Sequence, residues 1–457
     1  MSDILIGNGS VVTLGSENRL IEQGAVLVQG KRIAAIGPDT ALRQQYPDAD
    51  FVDANGGLIM PGFLCTHTHF YGAFARGMPP LPGEAPRNFP QILERLWWRL
   101  DKLLTLEDTR ASAEVFMADA IRHGTTCVVD HHASPHAVDG SLDVIADAVE
   151  QAGIRACLAY EVSDRDGPSV TAMGIRENER FIGSLRAARR QQAGAGMLAA
   201  SYGLHASFTL SPATLERCAA GGADLGVGFH IHVAEDVSDE DDSIVRYGMR
   251  VVDHLEAGHI LGASSIAAHC VHVNHDESLR LAATQTNCVH NPRSNMNNAV
   301  GCPRIEAALD NGINFGLGND GFSMNMLQEM KAAYLASKLY FSDPRSMPAD
   351  IVVKMAFQNN ARIASSVFRP FSADFPRVGE LSVGSAADLV LLDYLPPTPI
   401  SGENFPWHLI FGIDGQHVNS TMVAGRWLMR NRQVLTIDEE RIHARAQELA
   451  RALWQKL

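Results

Sequence analysis

The chain has 457 residues, 46% of them hydrophobic and 20% charged, which excludes a disordered polymer and leaves room for more than one core. Its formal net charge of -14 argues against a nucleic-acid partner, which would need a basic face. The seven cysteines are scattered and form no C-x-x-C pair, excluding a zinc ribbon and a disulfide framework. Met1-Ser2-Asp3-Ile4-Leu5 is not a basic leader followed by an apolar segment, and no stretch reaches about 18 unbroken apolar residues. A cytoplasmic protein with no membrane partner is expected.

In chain order, residues 2–59 read as short strands (Ile4–Ile6, Ser10–Leu14, Gly24–Val28, Arg32–Ile36, Phe51–Asp53) separated by breaks such as Gly7-Asn8-Gly9. From residue 58 apolar strand-like runs alternate with amphipathic helical stretches. The runs are 58–67, 125–131, 154–161, 197–205, 227–233, 264–270, 286–290 and 313–319. In Ser141–Ala152, for instance, Leu142, Ile145, Ala148 and Val149 share one helical face. A long helical stretch, 91–122, follows a Pro-rich loop at 79–90 that reads as part of a lid.

Such alternation predicts an α/β fold with a (β/α)8 TIM-type barrel, an open doubly wound sheet being the alternative from pattern alone. Short strands return at Ala387–Asp393, Ser420–Ala424, Arg426–Met429 and Gln433–Leu435. The expected organisation is therefore a composite β-sandwich domain from 1–59 plus 373–436, a catalytic barrel over 60–372, and a C-terminal helix over 437–457.

Barrel active sites lie at the carboxyl ends of the strands. The first run ends in His67-Thr68-His69, whose imidazoles share a face because side chains alternate along a strand. The fifth ends in His230-Ile231-His232-Val233-Ala234-Glu235, the sixth in His269, the eighth in Asp320. Three imidazoles and an aspartate suit Zn2+ or Fe2+ with room for a water, whose pKa the metal lowers toward 7. One carboxylate can take that water's proton, and a second can protonate the leaving group. Spacing leaves His230 and His232 as alternatives for the third imidazole.

Gly316-Leu317-Gly318-Asn319-Asp320-Gly321 formally matches a dinucleotide fingerprint, but it comes at the last strand, and helical, polar or Pro-containing sequence follows instead of a helix leading to a second parallel strand with an acidic end. The cytidine-deaminase zinc pattern, H-E-x-x-H, the nucleophile elbow and the P-loop are all absent from the sequence.

His67-Thr68-His69 after Pro61-Gly62, His232-Val233-Ala234-Glu235, His269, and Gly318-Asn319-Asp320-Gly321 resemble the amidohydrolase superfamily. More narrowly they resemble its mononuclear aminohydrolases, the cytosine, guanine, adenosylhomocysteine and triazine group. Arg76-Gly77, Gly124-Thr125-Thr126 and His290-Asn291-Pro292-Arg293-Ser294-Asn295 extend the match. Leu96-Trp97-Trp98-Arg99-Leu100-Asp101, Asp130-His131-His132-Ala133-Ser134-Pro135 and Val289–Gly301 look like the SsnA-type aminohydrolases linked to purine metabolism.

The resemblance implies one divalent metal per chain, Zn2+ with Fe2+ as the alternative, held by His67, His69, His232 and Asp320. It implies catalytic roles for Glu235 as proton shuttle, His269 as electrostatic stabiliser and Asp320 as acceptor of the water's proton. It places His205, Arg76 and Asn295 at the substrate. The H-x-x-E relation to Glu235 favours His232 over His230. The roles of His131, His132, His230 and Arg293 stay open, Arg293 being either a substrate contact or a brace for its loop.

The implied reaction is hydrolytic deamination of an amino-substituted N-heterocycle, a purine- or pterin-like cyclic amidine, in which metal-bound hydroxide attacks the ring carbon and ammonia leaves. The alternatives are loss of chloride or an alkylamine from a triazine, or a non-catalytic barrel scaffold. The expected partner is the small heterocyclic substrate, in a homo-oligomer.

Overall fold

The computed structural model describes residues 3–191 and 196–457; Met1 and Ser2, the head of the first expected domain, lie outside the described residues. Both ends of the chain meet in one nine-stranded sheet. Its N-terminal members are β1 (Ile4–Val12), β2 (Leu20–Gln29), β3 (Arg32–Pro38), β4 (Asp50–Asp53) and β5 (Leu58–Pro61). After nine further strands, β15 (Leu389–Leu392), β16 (Val418–Val423), β17 (Arg426–Arg430) and β18 (Gln433–Val434) complete it. The order is β18-β17-β16-β15-β5-β1-β2-β3, with β4 beside β1. The seam between the two ends is the antiparallel pair β5–β15, where Met60 faces Val390 and Leu58 faces Leu392.

The expected strands Ile4–Ile6 and Ser10–Leu14 run as one strand. Its pairing slips between Ile6 and Gly9, where Asn8 takes a left-handed φ of 55° and absorbs the irregularity. The helix Asp39–Gln45 went unread because its seven residues bury only Leu42 and so carry no apolar stripe.

The alternating region forms two all-parallel sheets. One contains β6 (Phe63–Thr68), β7 (Thr125–Asp130), β8 (Arg155–Leu158) and β9 (Leu198–Ala200). The other contains β10 (Tyr202–Ala206), β11 (Phe229–Val233), β12 (Ile266–His269), β13 (Asn287–His290) and β14 (Phe315–Leu317). Their residues are buried almost throughout, as parallel strands covered on both faces must be, which is why they read as apolar runs.

Two of the expected runs are divided. Residues 58–67 split at Gly62, the first half joining the nine-stranded sheet as β5 and the second the parallel sheet as β6. The chain can cross there only without a side chain, since a Cβ on Gly62 would stand 2.2 Å from Thr126 Cγ2. Gly62→Ala is accordingly expected to cost about 1–3 kcal/mol through overpacking, read as a lower denaturant midpoint. The run 197–205 divides at Ser201, so that β9 pairs back to β8 and β10 forward to β11.

At the other junction the Asn319 N–H donates to the His67 carbonyl (2.9 Å). The Asn360 amide stitches the same edges together, donating to Leu64 O (2.8 Å) and Leu317 O (2.9 Å) while accepting from Leu317 N–H (2.8 Å).

The stretch 91–122 is not one helix. Phe89–Ile92 passes through a π-turn at Leu93–Trp97 into Trp98–Leu103, and the helix Leu106–Arg122 then starts afresh. Thr105 forces the restart: its hydroxyl accepts from Asp108 N–H while Asp108 Oδ2 accepts from Thr105 N–H (2.9 Å), a reciprocal capping box. The C-terminal helix Glu439–Trp454 packs against the helix Leu106–Arg122, and Trp454 Nε1 donates to Phe74 O (2.8 Å).

A buried ion pair ties the nine-stranded sheet to the parallel strands. Arg155 on β8 meets Asp388 bidentately, Nε to Oδ2 at 2.6 Å and Nη2 to Oδ1 at 3.0 Å. Among the described residues no helix is long and apolar enough to cross a membrane.

Candidate active site

Four strand ends bring the expected groups together. His67 lies within β6 and His69 just past it, while His232 lies within β11 with Glu235 two residues beyond its end. His269 closes β12, and Asp320 follows β14 by three residues. The backbone turns left-handed at Ala234 (φ 47°), His269 (φ 71°) and Asp320 (φ 53°). That region costs a non-glycine residue on the order of 1–3 kcal/mol. Its recurrence at three of these ends marks where stability is given up to aim side chains.

The outer nitrogens of two imidazoles decide what the inner ones can do. His69 Nδ1 donates to the His131 carbonyl (2.6 Å), and His232 Nδ1 to the His205 carbonyl (2.8 Å). A carbonyl only accepts, so both Nδ1 atoms carry hydrogens, and in its neutral form each ring presents a bare Nε2 lone pair. Those two Nε2 atoms lie 3.2 Å apart. Asp320 Oδ1 lies 2.9 Å from His67 Nε2 and 3.1 Å from His69 Nε2.

Lone pairs this close repel unless a cation lies among them, and nitrogen donors with one carboxylate oxygen suit a divalent metal. His69 and His232 also carry the outer hydrogen bonds that orient metal-binding imidazoles. The donor set thus fits a divalent metal. His230, the open alternative to His232, stands behind His67, its Nε2 2.8 Å from His67 Nδ1.

A second donor group, unforeseen from the sequence, consists of His69, His131, Glu161 and His232. The other converging group is His67, His232, His269 and Asp320, and the two share His232, whose one lone pair serves one ion at a time. Glu161 follows β8 by three residues; the only sequence signal for it is an acid just past an apolar strand.

The two acids expected to move protons both face His269, Glu235 buried and Asp320 partly so. Glu235 Oε2 lies 3.5 Å from His269 Nε2, and its Oε1 accepts from Asn298 Nδ2 at 3.3 Å. Burial pushes the Glu235 carboxyl up to about 7, with His269 pulling it down and Asp320 adding to the rise. His269 Nε2 is 3.7 Å from Asp320 Oδ1.

Asn295, expected at the substrate, stands elsewhere. It is buried behind His269, its Oδ1 accepting from His269 Nδ1 at 2.9 Å, and it does not line the cavity. Its neighbour Ser294 reaches the centre instead, donating to Asp320 Oδ2 at 2.5 Å. Ser294→Ala is expected to lower metal affinity or kcat by about 10–100-fold, checked by zinc titration and steady-state rates.

These groups open into a cavity of about 480 Å3, within the range of small-molecule sites. Tyr71, Trp97 and Trp98 give it aromatic walls, and His205 and Glu161 line it as well. Arg76 is at its edge, tied to Asp119 (3.1 Å) and lying over the Phe116 ring. Arg293 also borders it, but its guanidinium is occupied by Glu329 (2.5 Å), Gln328 (2.7 Å) and Ser323, which makes it a brace for the loop. His131 and His132 are buried outside the lining, His132 Nε2 lying 2.9 Å from Ser134 Oγ.

Comparison with known proteins places the chain in a family. The family model described as "Amidohydrolase family" matches residues 58–428, and one for an imidazolonepropionase-like composite domain of bacteria matches residues 24–49. The chain is 32% identical to the 5-methylthioadenosine/S-adenosylhomocysteine deaminase of Syntrophomonas wolfei, over 98% of this chain and 99% of that protein. It is 30% identical to the 5'-deoxyadenosine deaminase of Methanosarcina mazei, over 99% of each.

Among solved structures, an adenosine deaminase from Xanthomonas campestris with bound zinc superposes with a TM-score of 0.86 at 24% identity. That match covers 100% of this chain and 99% of the other. A family match over most of the length, with relatives aligned from end to end, leaves one assignment: the chain belongs to the amidohydrolase family.

Proposed function

We propose that this protein is a zinc-dependent deaminase of a purine nucleoside of the adenosine type, with Glu235, His269 and Asp320 as its catalytic residues. The coarser statement stands without proposal: the chain is a hydrolase of carbon–nitrogen bonds that deaminates an amino-substituted heterocycle. One observation carries the finer reading: His67 and His69 Nε2 both meet Asp320 Oδ1, His69 Nε2 meets His232 Nε2, and Glu235 is buried near them beside His269. The nucleoside is supported by what the two relatives act on, and zinc by the ion in the Xanthomonas structure.

His67, His69, His232 and Asp320 would hold a divalent ion, which when bound would supply the Lewis acidity that lowers a water's pKa toward 7. Asp320 is placed to take the proton that water gives up, while Ser294 holds its other oxygen. Glu235, protonated near neutral pH, gives its proton to the ring nitrogen next to the amino-bearing carbon. Once the water oxygen has bonded to the ring carbon, Glu235, recharged from Asp320, protonates the departing amine. The added hydroxyl then gives its proton back to Glu235, so that ammonia leaves, the ring keeps a carbonyl and both acids regain their starting states. His269 Nε2 faces both carboxylates and the charge that develops on the new oxygen. The aromatic walls stack on the ring and exclude water from it.

The same reading takes the two parallel sheets as one (β/α)8 barrel over 60–372, supported by the Asn319–His67 and Asn360 bonds at their free edges. It takes the nine-stranded sheet as the composite β-sandwich domain of 1–59 plus 373–436. Exposed Leu335, Leu339 and Phe411 support a homo-oligomer.

The test is an ammonia-release screen over purine nucleosides, free purines, pterins and triazines. Release from adenosine-type nucleosides is expected. Chloride or alkylamine release from triazines alone would replace the reaction, and silence throughout would restore the scaffold reading.

A further inference from the structure

Glu161 is the buried carboxylate that the chemistry above leaves unused. It lines the cavity next to His205, whose Nε2 lies 3.7 Å from Glu161 Oε1, beyond hydrogen-bond reach. The tautomer of His205 follows from its other nitrogen. Thr209 Oγ1 gives its one hydrogen to the Ala206 carbonyl (3.1 Å), so toward His205 Nδ1, 2.7 Å away, it can only accept. Nδ1 therefore carries the ring hydrogen, and Nε2 is an acceptor.

Glu161 Oε2 lies 3.3 Å from His131 Nδ1, but His131 gives its ring hydrogen from Nε2 to the His230 carbonyl (3.1 Å), so no hydrogen lies in that contact either, and Oε1 stands beside His205. Two acceptors thus stand together in the cavity wall with no hydrogen between them. Such a pair is unfavourable in a partly dry site until a donor bridges it.

We propose that Glu161 Oε1 and His205 Nε2 form a two-acceptor subsite that binds an N–H or O–H donor of the substrate, distinct from the amino group removed. The subsite rests on the deaminase reading and sharpens it: the substrate must present a second donor, either a ring N–H or a sugar hydroxyl. An analogue without that donor leaves both acceptors unpaired, the kind of mismatch that sites of this type reject most strongly.

The test separates the two donor sources and is independent of turnover. Binding to the zinc-loaded full-length protein is measured by calorimetry with two ligand pairs that have no amino group to lose. Purine riboside against its 2′,3′-dideoxy analogue reads the hydroxyls; purine against 9-methylpurine reads the ring N–H. The wild type is expected to prefer the donor-bearing member of one pair by about 100-fold. Glu161→Met is expected to shrink that preference to a few-fold, with zinc content and melting temperature unchanged. Glu161→Gln, which keeps the shape and one acceptor oxygen, should fall between and serves if the methionine variant does not fold.

Equal affinities within both pairs in the wild type, or a preference that survives Glu161→Met, would overturn the subsite. Loss of zinc from a folded Glu161 variant would overturn it too, making Glu161 a ligand. Failure of the deaminase reading shows separately, as absence of ammonia from every heterocycle while the binding preference persists. Binding of none of the four ligands would overturn both.

Discussion

Glu235→Gln is expected to lower kcat for deamination by about a thousandfold while the protein stays folded and keeps its metal. The substitution preserves shape and removes only the transferable proton. Glu235 lies off the cluster of His67, His69, His232 and Asp320, touching it through His269, so no metal-binding atom is lost. Burial holds its carboxyl near 7, a value suited to giving a proton to a ring nitrogen and taking one back within a turnover near neutral pH. Rates and metal content measured on the same preparation check this. Near-wild-type turnover would assign the proton to another group, and metal loss would make Glu235 part of the binding shell.

The largest expected effect on stability lies far from the chemistry. Asp388→Ala is expected to cost about 3–5 kcal/mol, because it leaves the Arg155 guanidinium charged and buried without its counter-ion. Arg155 and Asp388 are both 2% exposed, so water cannot stand in for the lost carboxylate. Asp388 Oδ1 also accepts from Ala424 N–H at 2.7 Å, so the same change frees a backbone donor in the nine-stranded sheet. The double variant Arg155→Met with Asp388→Leu should recover much of the loss, since the cost of breaking such a pair is mostly that of the orphaned charge. Denaturant unfolding of the two variants checks it; an unchanged midpoint for Asp388→Ala would show that the pair contributes nothing.

Much of the site's composition was legible because strand geometry is local. His67 and His69 share a face by alternation, and a histidine or acid just past an apolar run is placed by the strand that precedes it. What escaped depended on contacts distant in sequence. Nothing in the continuous apolar run 58–67 reveals that its first half pairs with Leu389–Leu392, so the break at Gly62 was invisible. The choice between Ser294 and Asn295 turned on a single helical step. Neighbouring residues on the turn Pro292–Asn297 point about 100° apart, so Ser294 meets Asp320 while Asn295 meets His269. Glu161 had no motif to announce it. His230 and His232 alternate onto one strand face, and only their contacts with residues distant in sequence, His230 with His67 and His232 with His69, put one behind His67 and the other at the cluster.

The central claim is that the imidazole–aspartate cluster makes the chain a metal-dependent deaminase, and one titration tests it most directly. The protein is stripped with a chelator, reloaded stepwise with zinc, and assayed at each step for ammonia released from a 5′-modified adenosine. Activity should be absent in the stripped protein and rise linearly to a plateau at one zinc per chain. Full activity without metal, or no ammonia at any zinc loading, would contradict the account.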